Sequence, residues 1–397
     1  MTNKLPIGWT LKRLGDITER ITRKNTINNN NVLTISAEHG FISQDKFFTK
    51  IVASKDLSKY ILLYKGDFCY NKSYCRGYPY GVFRKLKNYD VGVATSLYIY
   101  FKIIEGDSTF FEYLFDVGTL NKQLSIISQE GVRNHGLLNV PIEDFFNMTV
   151  PFPPIEEQKR IAEILSTFDD LIENLNKLIE KKEIYKKGVM QRVLTGEVRF
   201  NGFTDEWKTV RIGDICEYKN GNSFENYIDE NGKLFLITLD SITIDGRLKN
   251  NHKKINIDTK ELLSKNDIVM ILSDIAHGYF LGLTAVIDKD NCYVLNQRVA
   301  LLKPNNIIVN SYFLSKLINI NQKYFKKYGQ GSSQQNLQKK SVENFIVKIP
   351  SLEEQNKIAE LLTLIDQDID NLKQLLHLRK LQKKGLMQKL LTGEVRI

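Results

Sequence analysis

The sequence predicts an α+β protein with an internal repeat: two globular α+β blocks separated by two long antiparallel helices that form an intramolecular coiled coil with pseudo-two-fold symmetry. Two observations predict it. Residues 155 to 200 align without gaps to residues 352 to 397, with 23 of 46 positions identical, and a duplicated segment of this kind marks a repeated structural unit. Within both copies the apolar residues step by four and three, which is the spacing of a helical seam.

The seam in the first copy runs through Ile161, Leu165, Phe168, Ile172, Leu175 and Ile179, and in the second through Ile358, Leu362, Ile365, Ile369, Leu372 and Leu376. A stripe this narrow packs one helix along another, and two seams of equal length allow the pair to form within one chain; a homodimerising coiled coil is the alternative. About 33 residues of helix at 1.5 Å each make a rod of roughly 50 Å, long enough to act as a ruler. Pro153 and Pro154 precede the first helix, and Ser351 with Glu354 has the spacing of a capping box at the second,. Gly188 and Gly385 are expected to break or end the long segments, leaving Val189 to Leu194 and Leu386 to Leu391 as short helices before a repeated Leu-Thr-Gly-Glu-Val-Arg turn,.

The openings of the two halves also match. Gly8-Trp9 with Leu14-Gly15-Asp16-Ile17 parallels Glu206-Trp207 with Ile212-Gly213-Asp214-Ile215. Between openings and helices, roughly 10 to 150 and 208 to 349, the blocks resemble each other only in outline. One supporting surface held to a single sequence, beside blocks free to differ, fits two separate specificities. Strands are expected over Val32 to Ile35, Ala94 to Ile104, Phe235 to Leu239, Asp267 to Leu272 and Val294 to Leu302, where β-branched and aromatic runs are punctuated by Gly, Asn and Asp,.

The chain of 397 residues carries 56 Lys and Arg against 46 Asp and Glu, a formal charge of +10. Basic clusters lie at Lys181 to Lys187, Lys323 to Lys327 and Arg379 to Lys384, so a polyanion is the natural partner, with hydrated helix faces as the plainer explanation,. Cys69, Cys75, Cys216 and Cys292 form no Cys-x-x-Cys pair, which argues against zinc,. No apolar signal core opens the chain and no run approaches a membrane span, so a cytoplasmic protein without membrane partners is expected.

Candidate DNA-contacting residues lie in loops between the strands. Residues 70 to 85 combine four tyrosines with basic side chains, joining donors for phosphates and base edges to aromatic surface; Asn71, Lys72, Tyr74, Arg76, Tyr78 and Arg84 are the candidates there. In the second block the corresponding segment, Ser273 to Tyr279, offers Ser273, His277 and Tyr279. Asn296, Gln297 and Arg298 add further donors, as do Ser332, Ser333, Gln334, Gln335 and Asn336 in the stretch from Gly329. The positional counterpart of that stretch in the first half supplies Arg133, Asn134 and His135. Turns rich in Tyr, Asn and Ser are also common without any ligand.

Catalytic motifs are missing. There is no glycine-rich loop with an Asn/Asp-Pro-Pro-aromatic motif for adenine methylation, since Pro151-Phe-Pro-Pro154 lacks the amide-bearing first residue, and no phosphate loop,. Asp240, Asp267 and Asp274 are the remaining acidic candidates for a nuclease, and turn roles at strand ends explain them better. No catalytic residue and no metal ligand is assigned.

The layout of variable block, Pro-Pro-Ile-Glu-Glu-Gln-Lys helix and Leu-Thr-Gly-Glu-Val-Arg, followed by the whole again, resembles the specificity (S) subunit of type I restriction-modification systems over essentially the full chain. Glu-Glu-Gln at 156 to 158 and 353 to 355, and Leu-Thr-Gly-Glu-Val-Arg at 194 to 199 and 391 to 396, carry the resemblance. It implies a first target recognition domain at 1–151, a central repeat helix region at 152–200, a second target recognition domain at 201–349 and a C-terminal repeat helix region at 350–397. It further implies that each recognition domain reads one half of a bipartite, asymmetric site in double-stranded DNA, and that the coiled coil sets the spacer. The implied partners are two methyltransferase subunits seated on the helices, and restriction subunits. S-adenosylmethionine, ATP and Mg would then belong to those partners, with no cofactor in this chain. The alternative is a scaffold whose globular ends bind proteins rather than DNA.

Overall fold

Each amphipathic segment forms one unbroken helix, Ile155–Thr195 and Leu352–Leu391. The structure is a computed structural model describing residues 5–47, 54, 56–74, 77–130, 136–275, 280–331 and 334–397. The expected breaks at Gly188 and Gly385 do not occur. A Cβ at either position would meet nothing within 4 Å, so each glycine costs its helix about 1 kcal/mol in propensity. Val193 with Leu194, and Leu390 with Leu391, are buried one turn or so further on and hold the helices past them. The helices stop at the repeated turn instead, where Gly196 and Gly393 take positive φ of 76° and 70°, the conformation glycine adopts most cheaply at a helix end. At the second N-terminus half of the capping box forms: the Glu354 amide donates to Ser351 Oγ at 3.4 Å, while the Glu354 carboxylate is engaged elsewhere.

The chain divides into two compact units, Met1–Asn176 with Gln374–Ile397, and Lys177–Lys373. Each unit therefore contains a part of both long helices.

In the first unit an antiparallel sheet runs in the order Thr18–Arg20, Ile99–Ile103, Phe68–Asn71, Val82–Lys85. Its inner face is aromatic: Phe68, Tyr70, Phe83, Phe101, Phe115 and Phe145 pack with ring centroids 4.7–6.3 Å apart. The helix Ser108–Asp116 lies in this core and is capped by Asp107, whose carboxylate accepts from the amides of Thr109 at 2.9 Å and Phe110 at 2.8 Å,. A separate antiparallel ladder, Thr10–Arg13 with Thr149–Phe152, leads into the long helix.

The second unit repeats this plan with another core. Its sheet runs Cys216–Asn220, Val299–Pro304, Ile268–Ile271, Thr284–Val286, and its interior is mainly aliphatic, including Ile268, Met270, Ala300, Leu302, Leu314 and Ile318. Helix Ser311–Ile320 is capped by Asn310, and the outer ladder pairs Lys208–Arg211 with Ile346–Ile349.

Two expected strands are interrupted. Val91–Ala94 and Ile99–Ile103 are separate, as are Tyr293–Leu295 and Val299–Pro304. In the second case Asn296 Oδ1 accepts from the Arg298 amide at 3.2 Å, a side-chain turn that competes with extended pairing.

The repeated residues build the same polar junction in each unit. Gln158 Oε1 accepts from the Asp107 amide at 2.8 Å and its Nε2 donates to the Pro153 carbonyl at 2.8 Å; Gln355 does the same with Asn310 at 2.9 Å and Pro350 at 3.0 Å. Arg396 grips Glu157 at 2.5 and 2.8 Å, and Arg199 grips Glu354 at 2.9 and 2.8 Å. Asp169 accepts from Tyr113 Oη at 2.6 Å and pairs with Lys383 at 2.5 Å, while Asp366 accepts from Tyr312 Oη at 2.5 Å and pairs with Lys186 at 2.5 Å. In both units rising numbers on one long helix meet falling numbers on the other, so the helices pair antiparallel there.

All twelve seam residues are buried or half-buried. Their environments differ, however: Ile161 and Leu165, and Ile358 and Leu362, sit in the cores of the globular blocks rather than only against the other helix. No helix among the described residues is long and apolar enough to cross a membrane.

Candidate nucleic-acid interface

The strand turn that begins each candidate loop is set by one aspartate. Asp67 Oδ2 accepts from the Tyr64 amide at 2.7 Å, and Asp267 Oδ2 accepts from the Ser264 amide at 2.8 Å. Gly66 and Asn266 take positive φ inside these turns. The central strand that follows runs to Asn71 in the first unit and Ile271 in the second, and the chain beyond it pairs with a distant segment.

In the first unit the Leu138 amide donates to the Lys72 carbonyl at 2.9 Å and the Tyr74 amide to the Gly136 carbonyl at 2.6 Å. In the second the Leu337 amide donates to the Leu272 carbonyl at 2.8 Å, and Ser273–Ile275 pairs antiparallel with Gln334–Asn336. Two segments about sixty residues apart in sequence are thus joined edge to edge in both units.

The candidates on these loops fall into two groups. Asn71, Arg84, Ser273 and Asn296 are committed inside the fold, which corrects their reading as free donors. Asn71 is buried, donates to the Ile35 carbonyl at 2.8 Å and accepts from the Ser73 amide at 2.9 Å. Arg84 bonds the Ala37 and Phe83 carbonyls and Asp116. Ser273 is buried and accepts from Gln334 Nε2 at 3.3 Å, and Asn296, 2% exposed, donates to Glu225 at 3.2 Å. A buried amide or guanidinium without such partners costs about 1–3 kcal/mol, so these residues brace the loops.

The others face outward. Tyr74, Gln297, Arg298 and Asn336 are exposed, and Lys72, Tyr78, Gln334 and Gln335 are half-buried. Tyr78 lies with its ring 5.7 Å from the Arg84 guanidinium, which fixes the ring. Arg76, Arg133, Asn134, His135, His277, Tyr279, Ser332 and Ser333 lie outside the described residues.

The acidic candidates do not assemble. Asp267 is the turn residue above, Asp274 accepts from the Phe280 amide at 2.8 Å and Asp240 pairs with Lys249 at 3.3 Å. Among the described residues no group of three or more His, Cys, Asp or Glu side chains is placed to hold a metal ion.

In the second unit the junction where the two long helices meet is strongly charged. Burial alone would raise the Asp366 carboxyl, but hydrogen bonds from Lys186 and Tyr312, with the charges of Lys186 and Arg247, hold it below the usual carboxylate range,. Lys316 is 2% exposed and donates to the carbonyls of Asp245 at 3.2 Å and Gly246 at 3.1 Å. Burial, reinforced by the Lys186 charge, pushes its ammonium down to about 8.

The sequence profile of the type I restriction modification DNA specificity domain matches residues 6–183 and again 204–378. The chain belongs to this family. The family member MjaVIII specificity subunit of a type I restriction enzyme, from Methanocaldococcus jannaschii, is 30% identical over 292 residues, 66% of this chain and 65% of that protein; the chain thus spans a little under two thirds of the length of this relative. The fold matches the type I restriction-modification S subunit from M. genitalium with a TM-score of 0.58 at 16% identity over 98% of each chain. It also matches a chain solved to explain complex assembly and conformational transition of a type I system, with a TM-score of 0.58 at 20% identity, over 99% of this chain and 100% of that one.

The repeat gives the turn Gln297–Arg298 a counterpart in the first unit that carries no compositional signal. The turn Ser96–Leu97 occupies in the first unit the place of Gln297–Arg298 in the second. The ladders give the signal: Phe68 pairs with Phe101 as Ile268 pairs with Leu302, so counting back aligns Leu97 with Arg298.

Proposed function

We propose that this chain is the DNA sequence-specificity subunit of a type I restriction-modification complex, with each unit reading one half of a bipartite, asymmetric site. The observation that carries the reading is the contrast inside the repeat. The Glu-Arg, Gln-cap and Asp-Lys-Tyr pairings recur in the two units, while the candidate loops carry different side chains. One scaffold with two unlike faces is what two different half-sites require.

In this reading the paired helices set the spacer and seat two methyltransferase subunits. Exposed apolar side chains on the helices, among them Leu171, Leu178, Ile184, Leu364, Leu378 and Leu381, supply surface for such protein contacts. Restriction subunits complete the assembly in the cytoplasm. The chain itself performs no catalysis; S-adenosylmethionine, ATP and Mg are used by the partners.

Binding of the purified chain to a duplex carrying its site, with and without methyltransferase subunits, tests this. Site-specific affinity that falls steeply with salt and strengthens when those subunits are added is the expected result. Binding indifferent to sequence in the full complex, or protein partners that neither compete with nor protect DNA, would overturn it in favour of a protein-binding scaffold.

A further inference from the structure

We infer that the two-residue turn between the paired strands is a specificity-determining position, and that Arg298 reads a guanine edge in the half-site of the second unit. The inference rests on the proposed DNA-reading function and assigns a role within it.

The equivalence of the turns is structural. From the matched aspartate turns, strand residues Phe68 and Ile268 correspond, and the adjoining ladders run Phe68–Phe101, Cys69–Tyr100 and Ile268–Leu302, Val269–Leu301. Without a gap, Val93-Ala-Thr-Ser-Leu-Tyr-Ile99 then overlies Val294-Leu-Asn-Gln-Arg-Val-Ala300. Both segments turn at the same two residues, and in both those residues are exposed.

The second unit holds its turn rigidly beside the other loops. The Leu272 amide donates to the Arg298 carbonyl at 3.0 Å, and Leu272 in turn accepts from Leu337. The Val299 amide closes the turn on the Asn296 carbonyl at 3.0 Å, and the Asn296 side chain is tied to the Arg298 amide and to Glu225. The backbone of Gly221 packs so closely that a Cβ there would lie 2.2 Å from the Asn296 carbonyl oxygen. The Arg298 guanidinium, by contrast, makes no hydrogen bond or ion pair among the described residues, and Gln297 stands next to it. A fixed backbone presenting an uncommitted arginine is preorganised for recognition.

The counterpart decides between base and phosphate. Leu97 is 56% exposed at the same position. An apolar side chain has nothing to offer a phosphate, but it can meet a thymine methyl on the floor of the major groove, where arginine pairs with guanine O6 and N7. A position that accepts either residue therefore faces base edges.

The test uses the full complex with its methyltransferase subunits, sequencing methylated sites drawn from a randomised DNA pool. Arg298→Ala relaxes one guanine position in one half-site, lowering discrimination there roughly 5- to 100-fold, and leaves the other half-site and the spacer unchanged. Arg298→Lys retains affinity and keeps a weaker preference for guanine, because an ammonium can donate to O6 and N7 but lacks the planar fork that matches them. Leu97→Arg alters preference in the opposite half-site only. Unchanged preferences in all three variants overturn the inference. So does a uniform loss of affinity across sequences in Arg298→Ala with a salt dependence shallower by about one charge, the mark of a phosphate contact. Failure of the wild-type complex to prefer any sequence counts instead against the proposed function.

Discussion

Glu157, in the first turn of the central helix, is held by Arg396, 239 residues later, through two hydrogen bonds of 2.5 and 2.8 Å. Arg199 and Glu354 repeat the arrangement in the second unit. Each pair joins the start of one repeat helix to the final turn of the other repeat, so neither unit is complete without both halves of the chain. Arg396→Ala is expected to lower the melting temperature of the first unit by several degrees, and adding Glu157→Ala to cost less than it does in the otherwise intact chain, because the pair couples. Differential scanning calorimetry of the two single variants and the double variant checks this; strictly additive losses would show that the pair does not couple.

Gln355 is fully buried and bonds Asn310, Pro350 and Ile308. Gln355→Ala strands all three backbone groups and is expected to cost about 2–4 kcal/mol in denaturant unfolding. Gln355→Glu should cost more than Gln355→Ala, because a carboxylate would face the Pro350 carbonyl that now receives a donor. A glutamate variant as stable as wild type would contradict the assigned bonding.

Lys316 ties stability to alkaline pH. Its folded ammonium titrates at about 8 against an ordinary 10.5, so between those values the unfolded chain binds more protons than the folded one. Stability of the second unit therefore rises with pH across that window, by on the order of 3 kcal/mol if Lys316 titrates alone. Unfolding free energies from pH 7 to 10.5 for wild type and Lys316→Met are expected to diverge in slope only above about pH 8. Parallel profiles would refute the assignment.

Much of this architecture is legible in the sequence because its periodicities are local. The heptad stripe, the duplicated segment and the run Ile268–Ile271 each carry their own signal. Gly188 and Gly385 signal helix ends that do not form, because glycine propensity is a weak term beside the burial of Val193, Leu194, Leu390 and Leu391,. The repeated Glu-Glu-Gln and Leu-Thr-Gly-Glu-Val-Arg stood out as motifs, but their mutual pairing spans more than 150 residues and has no local trace. The interface was harder still. Asn71, Arg84 and Asn296 have the side chains a DNA reader would use, yet their partners Ile35, Ala37 and Glu225 come from distant segments and commit them to bracing. Ser96 and Leu97 carry no compositional signal, and only the strand register reveals them.

The proposed function requires that the two units read unlike half-sites independently. Exchange of residues 1–150 for the corresponding block of another family member, followed by sequencing of methylated adenines in cells carrying the complete gene set, tests it directly. One half-site should change while the other half-site and the spacer length stay as they were. A hybrid that alters the second half-site, or leaves both intact, would contradict it.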